Sequence, residues 1–260
     1  MTIKAPPLAH LYDTPFYRYQ REGSLKSARI VLPLIVQACA VKSLLDIGCG
    51  AGAWLSVAKS LGLNEIAGVD GDYVDRSMLL INIAHFTPRD ISKPFDTEHT
   101  YDLVQCLEVA EHVPPACSTT LVDNIVRHGR LVLFSAAVPG QGGEDHINER
   151  PYEYWRNLFA ARGYRLFDFV RPQITDNAEV EPWYRYNILL FAHDSVIANL
   201  PPEVTGTRVQ ESASIADVSP TTYRIRKALL SRLPNSLVSK LATWTHQRVV
   251  ALLRKQNDAH

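Results

Sequence analysis

The chain of 260 residues has only four cysteines, no excess of either charge, and no apolar stretch that could cross a membrane. Cys39, Cys49, Cys106 and Cys117 form no C-x-x-C pair and stand in apolar or loop contexts. That pattern fits reduced thiols in a cytosol rather than a disulfide framework. Lys and Arg number 27 against 27 Asp and Glu, so no overall field draws the molecule to nucleic acid. No uninterrupted run approaches the roughly 20 apolar residues that a spanning helix requires. The first residues contain Pro6, Pro7 and His10 without the apolar core of a signal peptide, so a cytoplasmic location is expected. Internal repeats are absent as well. What is present is a 46% hydrophobic composition, enough for one large α/β domain with appendages.

The most informative stretch is Ser43-Leu44-Leu45-Asp46-Ile47-Gly48-Cys49-Gly50-Ala51-Gly52-Ala53-Trp54. It reads as a short apolar strand with one acid, a glycine-rich turn, and the start of an amphipathic helix. Glycine lets the backbone turn with positive φ and lie directly against a ligand. Eighteen residues after Gly52, a second apolar strand ends in an acid at Asp70. An acid so placed can accept hydrogen bonds from a ribose diol, which points to a nucleoside-containing cofactor.

The glycines alone do not choose between cofactors, because Ala53 satisfies the third position of a dinucleotide fingerprint. Asp46, two residues before the first glycine, does more. Its carboxylate would repel a pyrophosphate and attract an ammonium-bearing ligand. An NAD-dependent oxidoreductase is therefore the disfavoured alternative.

Four motifs in order and spacing, over roughly residues 40–140, resemble those of the class I S-adenosylmethionine-dependent methyltransferases. Leu45 to Gly52 is similar to the first, Gly68-Val69-Asp70-Gly71 to the second, Arg89-Asp90-Ile91 to the third, and Tyr101 to Glu108 to the fourth. The resemblance implies that Asp46, Gly48, Cys49, Gly50, Gly52, Trp54, Asp70, Gly71, Asp90, Ile91 and Glu108 surround S-adenosyl-L-methionine. In it, Asp70 binds the ribose and Asp90 lies near the adenine amino group. Segments 16–31 and 138–155 further resemble a bacterial branch associated with surface-glycan or secondary-metabolite genes. For Asp70 and Asp90, helix capping or turn formation is the plainer reading.

Strand patterns recur near 43–47, 65–69, 102–107, 130–137, 165–171 and 186–193, mostly with helical patterns between them. This alternation predicts a Rossmann-like, doubly wound, mostly parallel sheet. The last two strands lack an intervening helix of useful length and predict an antiparallel edge; the family resemblance implies a seven-stranded sheet of this kind. Residues 1–40 read as an aromatic cap and helix; the resemblance implies that Tyr12, Phe16, Tyr17 and Tyr19 cover the cleft, and packing in the core is the plainer reading. Residues 41–199 are the cofactor-binding domain, and the Pro- and Ser-rich stretch 200–222 reads as a linker. Residues 223–260 carry eight Lys or Arg against one acid, Asp258. There Leu237, Val238, Leu241, Val249, Leu252 and Leu253 form an apolar stripe. Such basic amphipathic helices suit an anionic membrane surface, a homodimer contact, or docking on the chain itself.

Ligands of doubly wound sheets bind outside the carboxyl ends of the strands. Two loops there are dense in polar chemistry: Glu108-Val109-Ala110-Glu111-His112 and the Gly-rich segment 139–149. If the first is helical, Glu108, Glu111 and His112 share one face. With His146 they could ligate a divalent ion, although the expectation is that no metal is used. His146 and His112 are the candidate general bases, with Glu111 beside them, because imidazole suits proton abstraction near neutral pH. Leu107-Glu108-Val109-Ala110 stands where an Asn-Pro-Pro-Tyr-like motif would favour nitrogen. The expected reaction is thus O-methylation of a small-molecule or glycan hydroxyl. A non-catalytic module that keeps the cofactor pocket is the second alternative.

Overall fold

The computed structural model describes residues 14–234, 237–242 and 244, with side chains from residue 21 onward. Tyr12, the side chains of Phe16, Tyr17 and Tyr19, and the stripe residues Val249, Leu252 and Leu253 lie outside the described residues.

Seven strands form one sheet in the order β3-β2-β1-β4-β5-β7-β6. They are β1 (Ser43–Ile47), β2 (Glu65–Asp70), β3 (Phe86–Pro88), β4 (Leu103–Leu107), β5 (Leu131–Ser135), β6 (Tyr164–Phe167) and β7 (Leu189–His193). The first five are parallel, and β7 runs antiparallel to both neighbours, β5 and β6. The sequence pattern missed β3, whose three residues include Pro88 and carry no alternation of their own. The antiparallel pairing expected of the last two strands is present, but β7 inserts between β5 and β6.

Central strands β1, β4 and β5 are buried along their whole length, as strands covered on both faces must be. The two-residue period of a strand sends alternate side chains to opposite layers. Leu44 and Leu103 join helices α1 (Thr14–Ala38) and α2 (Ala53–Ser60) in one core, whereas Leu45 and Val104 join α3 (Ser118–His128) and α4 (Tyr152–Ala160) in the other. Tyr152, Trp155 and Phe159 of α4 all belong to that second core.

Short helices α5 (Arg171–Ile174), α6 (Pro182–Asn187) and α7 (Pro202–Thr205) complete the domain, and α8 (Thr221–Leu230) begins the C-terminal extension. The segment 200–222, read from composition as a linker, is anchored instead. Val204 and Ile215 are buried, Ile215 N donates to Glu153 Oε1 at 2.9 Å, and the buried Arg171 donates to Ala216 O at 2.9 Å. Each anchor is a single residue in a polar stretch, so the composition does not reveal it. No described helix is long and apolar enough to cross a membrane.

Candidate active site

The strand order reverses direction between β1 and β4, so the crevice at their carboxyl ends is the natural ligand position. The turn after β1 holds Gly48 at φ 83° and Gly50 at φ 52°. A Cβ on Gly48 would come within 2.3 Å of Val109, so the loops after β1 and β4 meet there. At Gly50 the same construction meets nothing within 4 Å: the backbone faces open space, a cradle a ligand can enter. Across it, Asp70 at the end of β2 accepts from Gly50 N at 2.7 Å, Gly71 N at 2.6 Å and Tyr73 Oη at 2.6 Å.

Beyond Asp70 a cleft of about 440 Å³ opens between the loops after β2 and β3, lined by Gly71, Tyr73, Arg89, Asp90 and Ile91. Asp90 borders it while its Oδ1 accepts from Ser92 N and Oγ, and its other oxygen pairs with Lys93 at 3.0 Å. The turn-forming reading of Asp90 is therefore present in the structure whatever else the residue does. Asp46 is buried within β1, where burial, opposed by the Gln105 amide and reinforced by the Asp70 charge, pushes its pKa up to about 7. Cys49 is also buried, with its sulfur packed toward Gly68. Trp54 sits in the core with its ring edge-on to Tyr184, centroids 5.1 Å apart.

The second polar cluster departs from the sequence expectation. Residues 108–112 form turns, not a helix, and Glu108 has a left-handed φ of 55°. Its carboxylate accepts from Gln141 Nε2 at 2.7 Å and Asn187 Nδ2 at 3.3 Å while also facing the Glu111 carboxyl. Of the four possible metal donors, three remain clustered. Glu111, His112 and His146 place one ligand atom each within 4.8 Å of the others. That set could accept a divalent ion, but burial and the Glu108 charge push the Glu111 pKa well up, so it must first shed a proton. The same upward shift disfavours Glu111 as the base. Its carbonyl has a structural task, accepting from both Ile147 N and Asn148 N at 2.9 Å.

His146 does have the surroundings of a base. Its Nδ1 lies 2.9 Å from Glu149 Oε1, and Gly142 N at 2.9 Å and Gly140 N at 2.8 Å donate to the same carboxylate. Burial would raise the Glu149 pKa, but these hydrogen bonds outweigh it and hold the group below its ordinary range. An ionised Glu149 keeps the His146 proton on Nδ1 and leaves Nε2 as the proton acceptor. His112 stands edge-on to His146, with ring centroids 4.9 Å apart. Burial of its ring and the facing imidazole push the His112 pKa down to about 4, although its outer edge is exposed to solvent. Gln141 and Glu149 lie in the Gly-rich segment singled out from the sequence, and Asn187 in the 181–187 segment expected to wall the acceptor pocket, but none of the three had an individual role assigned. The His146-x-x-Glu149 spacing was the signal that could have found Glu149; Gln141 shares its loop, and Asn187 arrives from α6.

A family model described as a methyltransferase domain matches residues 17–168, more than half of the chain. The chain belongs to this methyltransferase family. It is a class I S-adenosylmethionine-dependent methyltransferase, and the match removes the oxidoreductase alternative. Among curated relatives, the ubiquinone biosynthesis O-methyltransferase of Pseudomonas savastanoi pv. phaseolicola is 27% identical over 192 residues, 64% of this chain and 75% of that one. The protein of the same description from Neisseria meningitidis serogroup C is 31% identical over 132 residues, 46% of this chain and 50% of its own. The sugar N-methyltransferase KedS8 from Streptoalloteichus is similar in structure, with a TM-score of 0.52 at 16% identity, covering 74% of this chain and 98% of that one. That likeness shows the shared fold. The methyltransferase has the elements S-adenosylmethionine requires: an open glycine cradle, an acid at the end of β2 and an adjoining cleft.

Proposed function

We propose that this methyltransferase moves the methyl group of S-adenosylmethionine to a hydroxyl oxygen of a small-molecule or glycan acceptor, with His146 as the general base. The hydrogen bond between His146 Nδ1 and Glu149 Oε1 carries this reading. A hydroxyl is a poor nucleophile until its proton is taken, and a positioned base contributes roughly 10²–10⁴-fold. The O-methyltransferase names of the sequence relatives support oxygen as the acceptor atom. The four free thiols support a reducing, cytoplasmic compartment.

In this reading Gly50 gives the cofactor room to approach, Asp70 takes the ribose hydroxyls, and the 440 Å³ cleft beside Asp90 and Ile91 takes the adenine. Tyr73 occupies part of the Asp70 carboxylate and is exposed enough to yield to a ribose hydroxyl. When bound, the cofactor supplies an electrophilic sulfonium methyl. The chain's own contribution is alignment, which supplies roughly 7–11 kcal/mol in such displacements, and removal of the acceptor proton by His146 Nε2. A screen of hydroxyl- and amine-bearing acceptors with radiolabelled methyl donor tests the proposal. Label on oxygen that vanishes in His146→Ala supports it. Label on nitrogen alone, or cofactor binding with no turnover on any acceptor, refutes it; the latter is the behaviour of a scaffold module.

A further inference from the structure

The extension beginning at α8 has two unlike faces. Its inner face closes over the Gly-rich loop after β5. Arg226 Nη1 donates to Gln141 O at 3.0 Å, the Lys227 ammonium lies 2.6 Å from Asp217, and a Cβ on Gly140 would approach Lys227 O to 2.0 Å. Its outer face exposes large apolar side chains: Ile225 at 56%, Leu229 at 59%, Leu233 at 39% and Leu237 at 47%. Ile225 and Leu229 are one helical turn apart and share a stripe. The exposed cations Arg224, Arg232 and Lys240 accompany them, and no Asp or Glu occurs between Asp217 and Asp258. Residues 223–260 hold eight of the 27 cations and one of the 27 acids, which leaves 19 cations against 26 acids in the remainder. The neutral total conceals a strongly basic end on an acidic body.

A cavity of about 260 Å³ lies between this extension and the Gly-rich loop. His146 and Glu149 border it on one side, Leu230, Leu233 and Val238 on the other. Leu233 therefore belongs both to the cavity wall and to the exposed apolar strip.

We infer that the strip carrying Ile225, Leu229, Leu233 and Leu237, with Arg224, Arg232 and Lys240, seats the enzyme on an anionic phospholipid surface, so that acceptors reach His146 from the bilayer side. Apolar side chains enter the headgroup boundary while the cations pair with lipid phosphates, the division of labour of an interfacial helix. A second copy is the less suitable occupant, because a two-fold contact through this strip would set the same cations against each other. The part of this inference that concerns His146 rests on the transfer reaction proposed above.

The test is flotation of the full chain with vesicles of phosphatidylcholine containing about a third phosphatidylglycerol, and with pure phosphatidylcholine, at low and high salt. Wild type should float with the anionic vesicles only and lose that binding as salt rises. Charge reversal at Arg224→Glu and Arg232→Glu together, or the apolar change Leu229→Glu, should weaken partition about tenfold or more. Thermal protection by S-adenosylhomocysteine reports in parallel that each variant is folded. Absence of flotation, equal flotation with neutral vesicles, or a sedimenting dimer that ignores vesicles would each overturn the inference. Protection without flotation sinks the membrane surface and leaves the transfer reaction standing. Flotation without protection does the reverse.

Discussion

Gly50 and Asp70, twenty residues apart in sequence, are joined by a 2.7 Å hydrogen bond from the Gly50 amide to the Asp70 carboxylate. The bond fixes the turn after β1 against the end of β2, the two edges that flank the open glycine cradle. Hydrogen bonds to a charged acceptor contribute about 1.5–3 kcal/mol, and leaving their donors unpaired costs a similar amount. Asp70→Ala should therefore weaken S-adenosylhomocysteine binding by about 10- to 100-fold, measured by calorimetry. Wild-type affinity in that variant would remove Asp70 from the cofactor site.

Asp46 predicts a dependence on pH. Its folded pKa of about 7 lies above the ordinary carboxylate value. Below about pH 4 the group is neutral in both folded and unfolded chains and costs nothing. As pH rises toward 7 the unfolded chain gives up this proton first, so stability falls and the loss is complete above the folded pKa. Asp46→Asn should accordingly raise the melting temperature of the ligand-free protein at about pH 8, by about 2–4 °C per kcal/mol recovered. A cationic cofactor nearby lowers the pKa, so S-adenosylmethionine should bind more tightly from about pH 6 to about pH 8 in wild type, and not in the variant. Parallel pH profiles for the two proteins would contradict this role.

His146→Ala and Glu149→Gln separate chemistry from binding. Both should leave donor affinity near wild type. The first should cut turnover by at least about a hundredfold, the scale of a lost base. The second should cut it less, because the imidazole keeps its position but loses the carboxylate that orients it. Single-turnover kinetics with a fixed acceptor would show both effects. Unchanged turnover in His146→Ala would transfer the base role elsewhere.

Gly48→Ala should be destabilising on two counts. The added Cβ would meet Val109 at 2.3 Å, and φ is 83°. Overpacking costs about 1–3 kcal/mol and the left-handed backbone about 1–2 kcal/mol. Adding Val109→Ala should restore the packing share and none of the backbone share. Chemical denaturation of the three variants measures the split, and full recovery in the double variant would show that strain contributes nothing.

Turnover should be indifferent to EDTA. Glu108 is held by Gln141 and Asn187, and burial pushes the Glu111 pKa well up, which disfavours it as an anionic ligand. Loss of product under chelation, restored by a divalent ion, would instead assign Glu111, His112 and His146 to a metal.

The cofactor half of the molecule was legible in the sequence because its chemistry is local. The glycine turn, the acid ending β2 and the apolar strands between them are short patterns whose conformational reasons lie within a few residues. The second polar cluster is assembled from residues far apart. Gln141, Asn187 and Glu108 converge from three separate elements, and Arg226 closes on Gln141 from beyond the domain. The family match ends at residue 168, so Asn187 and Arg226 also lie outside it. The turn at 108–112 has a similar cause: i, i+3, i+4 spacing places side chains on one face only if the backbone is helical, and the left-handed Glu108 breaks that condition.

From its own order of residues the chain determined an α/β sheet with a glycine cradle and two acid-bearing strands, since hydrophobic period and turn chemistry act over short distances. Tertiary packing alone decided that Glu149 orients His146, that Asp46 is a weak acid, and that segment 200–222 is anchored. Each of these is set by which distant groups exclude water from a side chain or lend it a hydrogen bond, and a linear pattern holds no record of that.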